Sequence, residues 1–220
     1  PSITIDANLE VDDVVNASED DTVVISGTTS GVEDGQVVTI TLSDGTTTIT
    51  QTATVSSNAY ALTGDQIADI STFTNGTIDI TANVTDLAGN AATEATDTIT
   101  LDNTIATPTL ELANDTNVDE DEVTNDATVN VGGLEDLGTW QYSVNGDTTW
   151  SSAIAATTTS FELPEGNYSN GDILVRQTDA AGNLSTNGSL TISGTLKIDT
   201  SAPSITIDAN LEVDDVVNAS

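Results

Sequence analysis

The chain has 220 residues, 36 Asp and Glu against two Lys and Arg, a formal net charge of −34, and no His, Cys or Met. Nucleic acid and anionic membranes are poor partners for it, because both are bound through basic footprints. Disulfides, thiolate or imidazole metal sites and histidine bases are excluded, and no apolar run approaches the ~20 residues of a membrane-spanning helix. No signal-peptide pattern is present, and the missing initiator Met suggests an internal piece of a longer chain.

Apolar residues alternate with polar ones along most of the sequence. Strands are predicted at 22–27, 36–43, 47–55, 76–85 and 96–101, with a turn at Ser43-Asp44-Gly45-Thr46 and a short helical turn within 64–72. The same spacing returns at 127–132, 139–145, 158–163, 171–178 and 188–198. Thr and Val supply β propensity, while Gly, Asn and Asp mark the turns. Short strands separated by turns every ~8–12 residues are the pattern of a two-sheet immunoglobulin-type sandwich. The expected fold class is therefore all-β, with immunoglobulin-like sandwiches in tandem, end to end. A solenoid would need a repeat of ~20–30 residues, and none is visible.

Residues 1–18 and 203–220 are identical, letter for letter, so the sequence repeats with an offset of 202 residues. A weaker repeat lies inside that unit. Asp86-Leu87-Ala88-Gly89-Asn90 matches Asp179-Ala180-Ala181-Gly182-Asn183, and Leu101-Asp102-Asn103-Thr104 matches Ile198-Asp199-Thr200-Ser201. The layout expected is one sandwich at 1–104, a second at 105–202, and the start of a third at 203–220. Like units in series span distance or present repeated surfaces.

The acids recur at three places in both halves: Glu33 and Glu135 in the loop after the strands at 22–27 and 127–132, Asp86 and Asp179 before a Gly-Asn pair, and Asp102 and Asp199 at the end. In an immunoglobulin-type sandwich the first two loops share one pole and the last strand leaves from the other. Asp102 should therefore arrive beside Glu135 and Asp179, with Asn103 and Asn183 as neutral oxygen donors. Carboxylates so close repel unless a cation lies among them. Ca2+ takes 6–8 oxygen ligands and suits a chain without nitrogen or sulfur donors. Glu33, Asp86 and Asn90 would form half of a like site, and Asp199 half of another. A further acidic cluster follows the first strand: Asp6, Asn8, Glu10, Asp12 and Asp13, then Asp115, Asn117, Asp119, Glu120, Asp121 and Glu122. It lacks the Gly and the closing Glu of an EF-hand; Asp12 and Asp121 are its candidate ligands. Each acidic loop taken singly also fits a solvated turn, and adaptation to high salt would explain the charge but not its placement.

The runs Gly31-Val32-Glu33-Asp34-Gly35, Val84-Thr85-Asp86-Leu87-Ala88-Gly89-Asn90 and Ile99-Thr100-Leu101-Asp102-Asn103-Thr104 resemble those of bacterial immunoglobulin-like repeats. So do the stretch from Trp140 to Trp150 and Val175-Arg176-Gln177-Thr178-Asp179-Ala180-Ala181-Gly182-Asn183. Together they look like the extender repeats of giant RTX adhesins of Gram-negative bacteria. Leu137 departs from the pattern where the first half has Gly35, so that loop should hold its Glu differently. The resemblance implies a type I secreted protein retained at the outer membrane, with several Ca2+ ions in the linkers; no enzymatic activity is expected, because every acidic pair lies in a recurrent loop and no cleft-forming insertion is present. The partners implied are neighbouring repeats of the same, monomeric chain. The competing class is a glycan- or surface-binding module, which an exposed shelf of Trp140, Trp150 and Tyr168 would support.

Overall fold

The computed structural model describes residues 1–7, 9, 12–116, 118 and 121–206. Asn8, Glu10, Asn117, Asp119, Glu120 and most of the expected third start lie outside the described residues.

The first half places β1 (Ser2–Ile3), β2 (Val14–Val15), β3 (Ser26–Ser30), β4 (Val37–Ser43), β5 (Thr48–Thr54), β6 (Ala59–Ala61), β7 (Gly76–Asn83) and β8 (Ala95–Leu101). One sheet runs β2-β8-β7-β4-β5 and faces a second, β1-β3-β6. The chain changes sheets between β1 and β2, since β1 pairs antiparallel with β3 and β2 pairs parallel with β8. Alternation sends Ile40 and Leu42 of β4, and Ile78 and Ile80 of β7, to the inside, where all four are fully buried. Thr and Asp take the outward positions, as period-two alternation requires.

The second half repeats this plan with β9 (Thr109–Leu112), β10 (Val123–Thr124), β11 (Thr128–Gly132), β12 (Thr139–Ser143), β13 (Ile154–Ala155), β14 (Ser160–Glu162), β15 (Gly166–Ser169), β16 (Leu174–Thr178), β17 (Gly188–Ser189) and β18 (Thr195–Ile198). The β14-β11-β9 sheet corresponds to β1-β3-β6. The facing sheet is split into β13-β12-β16-β17 and β10-β18-β15. The split arises where β7 has its counterpart. A turn between β15 and β16, with Gly171 at φ 90° and Asp172 accepting the Ser169 N–H at 2.7 Å, breaks the long strand in two.

Each half has its own core. One runs from Ile3 to Leu101 and centres on Ile25, Ile40, Ile80 and Leu101. The other runs from Ala127 to Ile198 around Trp140, Val129, Val175 and Ile173. Both tie a tyrosine to the backbone. Tyr168, near the start of β15, donates to the Pro164 carbonyl four residues upstream at 2.8 Å, the corner typical of this architecture. Tyr60 donates to the Thr4 carbonyl at 2.8 Å, and burial pushes its hydroxyl pKa well above the ordinary range. Gly27 packs there because a Cβ would collide with the Thr4 carbonyl and the Tyr60 ring.

The strand expected at 22–27 is displaced: β3 begins at Ser26, and Val23 makes only an isolated bridge to Ala68. Val23 and Ile25 are nonetheless fully buried. Their alternation reports burial, while the ladder starts at Ser26, where β6 supplies Ala61 as a partner. The expected strand 188–198 is interrupted between β17 and β18, and 171–178 begins only at Leu174. No aromatic shelf forms. Trp140 and Tyr168 are buried, Tyr142 stacks on Phe161 at 4.2 Å, and the Arg176 guanidinium lies 4.1 Å over the Trp150 ring.

Leu137 adopts φ 64° and is 91% exposed, whereas Gly35 holds the equivalent turn at φ 92°. A left-handed conformation costs an L-residue about 1–2 kcal/mol, partly offset by the entropy a glycine adds to the unfolded chain. Leu137→Gly should therefore stabilise the second sandwich by about 0.5–1 kcal/mol in denaturant melts.

Candidate functional site

The last strand of the first half ends at Leu101, and the chain then enters the second half. Asp102 is still held by the first sandwich, its N–H donating to the Val15 carbonyl at 2.9 Å. Its own carbonyl accepts the Asn183 side-chain amide at 2.6 Å. The same Asn183 takes the Ala17 N–H on Oδ1 at 2.8 Å, and Asn16 Nδ2 reaches the Ala181 carbonyl at 3.1 Å. One amide thus grips both the linker and the pole of the first sandwich.

That amide is aimed in advance by its own loop. Asp179 Oδ1 accepts the Asn183 N–H, and Asp179 Oδ2 accepts Asn183 Nδ2, both at 2.8 Å. The two Nδ2 hydrogens are therefore both used, one within the loop and one across the joint. Asp179 and Asn183 are 8% and 6% exposed, so these bonds lie out of solvent. Gly182, at φ 94°, lets the loop turn beside Asn16.

The linker is pinned at two further points. Asn103 Nδ2 donates to Asp20 Oδ2 at 2.8 Å, and Asn75 Nδ2 donates to Asp102 Oδ1 at 3.1 Å and to Thr104 Oγ1 at 2.9 Å. Farther on, Glu135 Oε1 accepts the Ala106 N–H at 2.9 Å. Gln177, 2% exposed, donates to the Ala106 and Gly133 carbonyls and accepts the Glu135 N–H. A cavity of about 580 Å3 lies in the joint, lined by residues 16–18, 103–105 and 182–186.

Asp102, Asn103, Glu135, Asp179 and Asn183 therefore all meet the linker or its immediate surroundings, but each carboxylate is turned to an N–H donor. Among the described residues no three carboxylates form a metal-binding group. In the first sandwich Glu33 Oε2 accepts the Leu87 N–H at 2.8 Å. Asp86 and Asn90 reproduce the Asp179–Asn183 pair, with Asn90 N and Nδ2 donating to the two carboxylate oxygens at 2.8 Å. Bonding from the Asn90 side chain holds the Asp86 carboxyl below the ordinary carboxylate range. Asp199 pairs with Lys197 at 2.8 Å, which lowers its pKa. Asp12 and Asp121 accept the Val14 and Val123 N–H groups. Asp115 Oδ1 is buried without a hydrogen-bond partner among the described residues.

Asn16, Ala17, Asp20, Asn75 and Gln177 are joint residues that the acid pattern does not mark. Asn16-Ala17-Ser18 stands out in the sequence only as a glycosylation sequon, and Gln177 has Val84 in its place in the first half, so the internal repeat hides it.

No family model matches the chain, and no curated protein matches it. Solved structures do. A Ca2+-stabilised adhesin that helps an Antarctic bacterium reach out and bind ice aligns over 92% of this chain and 50% of its own, at 26% identity and TM-score 0.51. The chain is similar to a bacterial adhesin over that span. A tetra-tandem repeat from the extending region of a large adhesion protein aligns over 90% of this chain and 49% of its own, at 21% identity and TM-score 0.39. A single bacterial immunoglobulin-like domain from the M. primoryensis ice-binding adhesin covers 46% of this chain and is itself covered over 96%, at 30% identity and TM-score 0.33. The chain spans about half the length of the first two. Among the described residues no helix is long and apolar enough to cross a membrane.

Asn183→Ala removes the amide from both the loop and the joint. It should lower the stability of the second sandwich by about 1–2 kcal/mol and broaden the interdomain distance distribution in solution. The depressed pKa of Asp86 means that its bonds stabilise the loop above the unfolded pKa and are lost as pH falls through the folded value. The Asn90 backbone and side-chain amide resonances should shift only at that acid end, below the ordinary carboxylate range.

Proposed function

We propose that the segment is an extender of a cell-surface adhesin, a spacer whose joints are stiffened by Ca2+ so that a distal ligand-binding region stands off from the cell. The observation that carries this reading is the joint itself. The Asp179–Asn183 loop of one sandwich is seated on the exit of the other, with Asp102 and Glu135 bound to the chain on either side. A spacer needs a fixed angle at each junction and little else. Neither a catalytic constellation nor an exposed aromatic shelf is required, and Trp140 and Tyr168 are committed to the core.

The donor chemistry suits Ca2+. With 36 acids and two cations, internal counter-charge is scarce. Lys197 is taken up by Asp199, while Arg176 lies on Trp150 and bonds Gln141. A Ca2+ ion at the joint would draw on Asp102, Glu135 and Asp179, with Asn103 and Asn183 as carbonyl donors. Glu33, Asp86 and Asn90 at one outer pole, and Asp199 at the other, would serve the adjoining joints. Asp115 Oδ1, buried without a hydrogen-bond partner among the described residues, favours a further ion near Asp121, whose equivalent in the first sandwich is Asp12. The units would be 1–104, 105–202 and a third from 203, with neighbouring repeats as partners in a monomeric chain. Ca2+ outside the cell would stabilise the folded array by mass action, after type I export in a calcium-poor state. Retention at the outer membrane follows from the same reading.

Small-angle scattering and thermal melts with chelator and with millimolar Ca2+ test the proposal. Ca2+ should narrow the spread of particle lengths and raise the melting temperature. Asp102→Asn and Asp179→Asn should abolish the stiffening while leaving both sandwiches folded. Equal responses to Mg2+ or NaCl would reduce the acids to a solvated surface.

A further inference from the structure

We infer that the outer pole of the second sandwich is a docking seat for one specific partner, the 86–90 loop of a second copy of the first sandwich. The inference rests on the tandem-spacer reading but not on calcium. It starts from the occupied joint, where the 179–183 loop sits against residues 16–18 and the Asp102 carbonyl. The outer pole repeats the framework of that seat. β10 pairs parallel with β18 as β2 does with β8, and Asp199 N–H donates to the Thr124 carbonyl at 3.0 Å as Asp102 N–H does to Val15 at 2.9 Å. Asn125 stands where Asn16 stands. A cavity of about 490 Å3 opens there, lined by Val123, Asn125, Asp199, Thr200 and Pro203 among others.

The matching loop is already shaped. Asn90 is exposed, yet its N–H and Nδ2 are fixed by Asp86 at the same 2.8 Å distances that fix Asn183 on Asp179. One Nδ2 hydrogen is committed to Asp86 and the other is available, as in Asn183, for a carbonyl across a joint. The acceptor in the seat is the Asp199 carbonyl, and the Asn125 amide takes the Ala88 carbonyl as Asn16 takes that of Ala181. Leu87, 75% exposed on the loop, and Val123, 43% exposed in the seat, give each other an apolar cover.

The sequence names the occupant. Residues 203–220 repeat 1–18, so the chain leads from this seat into another copy of the first sandwich. Ile205, 93% exposed, is the counterpart of Ile3, which is buried at 7%. The second joint is also a shorter one. Gly31 lies against Pro1 as Gly133 lies against Pro108, which makes Pro203 the counterpart of Pro108. Asp102 is six positions before Pro108, but Asp199 is only four before Pro203. Val84 replaces Gln177, and Glu165 replaces Asn75, accepting Thr200 Oγ1 at 2.7 Å. The array therefore alternates two joints, one long and pinned by glutamine, one short and closed by Asn90 and Leu87.

The test is a chain made of residues 1–202 followed by 1–220, with spin labels on Ser152→Cys of the first unit and Thr52→Cys of the second. Distances are measured in chelator and in Ca2+. Asn90→Ala is placed either in the second unit, where a seat precedes it, or in the first, where none does. Both placements perturb the sandwich equally, so the first-unit variant controls for folding. The expected result in chelator is a distance distribution at least twofold broader for the second-unit variant, with the first-unit variant matching the parent. Equal widths in all three chains would overturn the docking. Narrowing by Ca2+ without any effect of Asn90 would leave the calcium spacer standing and remove the seat. An Asn90 effect without a Ca2+ effect would do the reverse.

Discussion

The joint depends on one preorganised amide. Asn183 is fixed by both oxygens of Asp179 before it reaches the Asp102 carbonyl and the Ala17 N–H. Ordering a side chain at an interface costs free energy, and a loop that has already ordered it spends less of the contact on that cost. A carboxylate accepting two N–H bonds from one asparagine is also a strong, directional anchor. The remaining contacts then have a fixed frame: Glu135 on Ala106, Gln177 across Ala106 and Gly133, and Asn75 on Asp102.

Charge limits what else such a joint can use. Two cationic side chains, both engaged within the second sandwich, leave the polar ends of the repeats with carboxylates, amides and hydroxyls. Asparagine is neutral, donates and accepts at once, and does not add to the repulsion. A hydrogen-bonded frame of this kind sets orientation, and in the proposed extender oxygen-binding cations would add resistance to bending. The two roles meet on the same carboxylates, because Asp102, Glu135 and Asp179 already accept N–H bonds within the frame.

The architecture was legible in the alternation of Val, Ile and Thr at β4, β5, β7 and β8, whose seven- or eight-residue length gives period two room to show. β6 and β15 are three and four residues long and left no such trace. Val23 and Ile25 misled in register because burial and ladder pairing part company before Ser26. At the joint, repetition pointed to Asp102, Glu135, Asp179 and Asn183, since each has a counterpart in the other half. Repetition could not point to Gln177 or Asn75, which are replaced by Val84 and Glu165. Nor could it show that the Asp102 carbonyl, rather than its carboxylate, meets Asn183, because the acid pattern says nothing of backbone atoms.

The most direct measurement is of residual dipolar couplings for both sandwiches of the 220-residue chain, first in chelator and then in Ca2+. The account predicts alignment tensors with common principal axes in chelator, unequal in magnitude because the joint retains some motion. In Ca2+ the two magnitudes should converge. Tensors with unrelated axes in both conditions would show that the Asn183 joint sets no orientation, and would contradict the account.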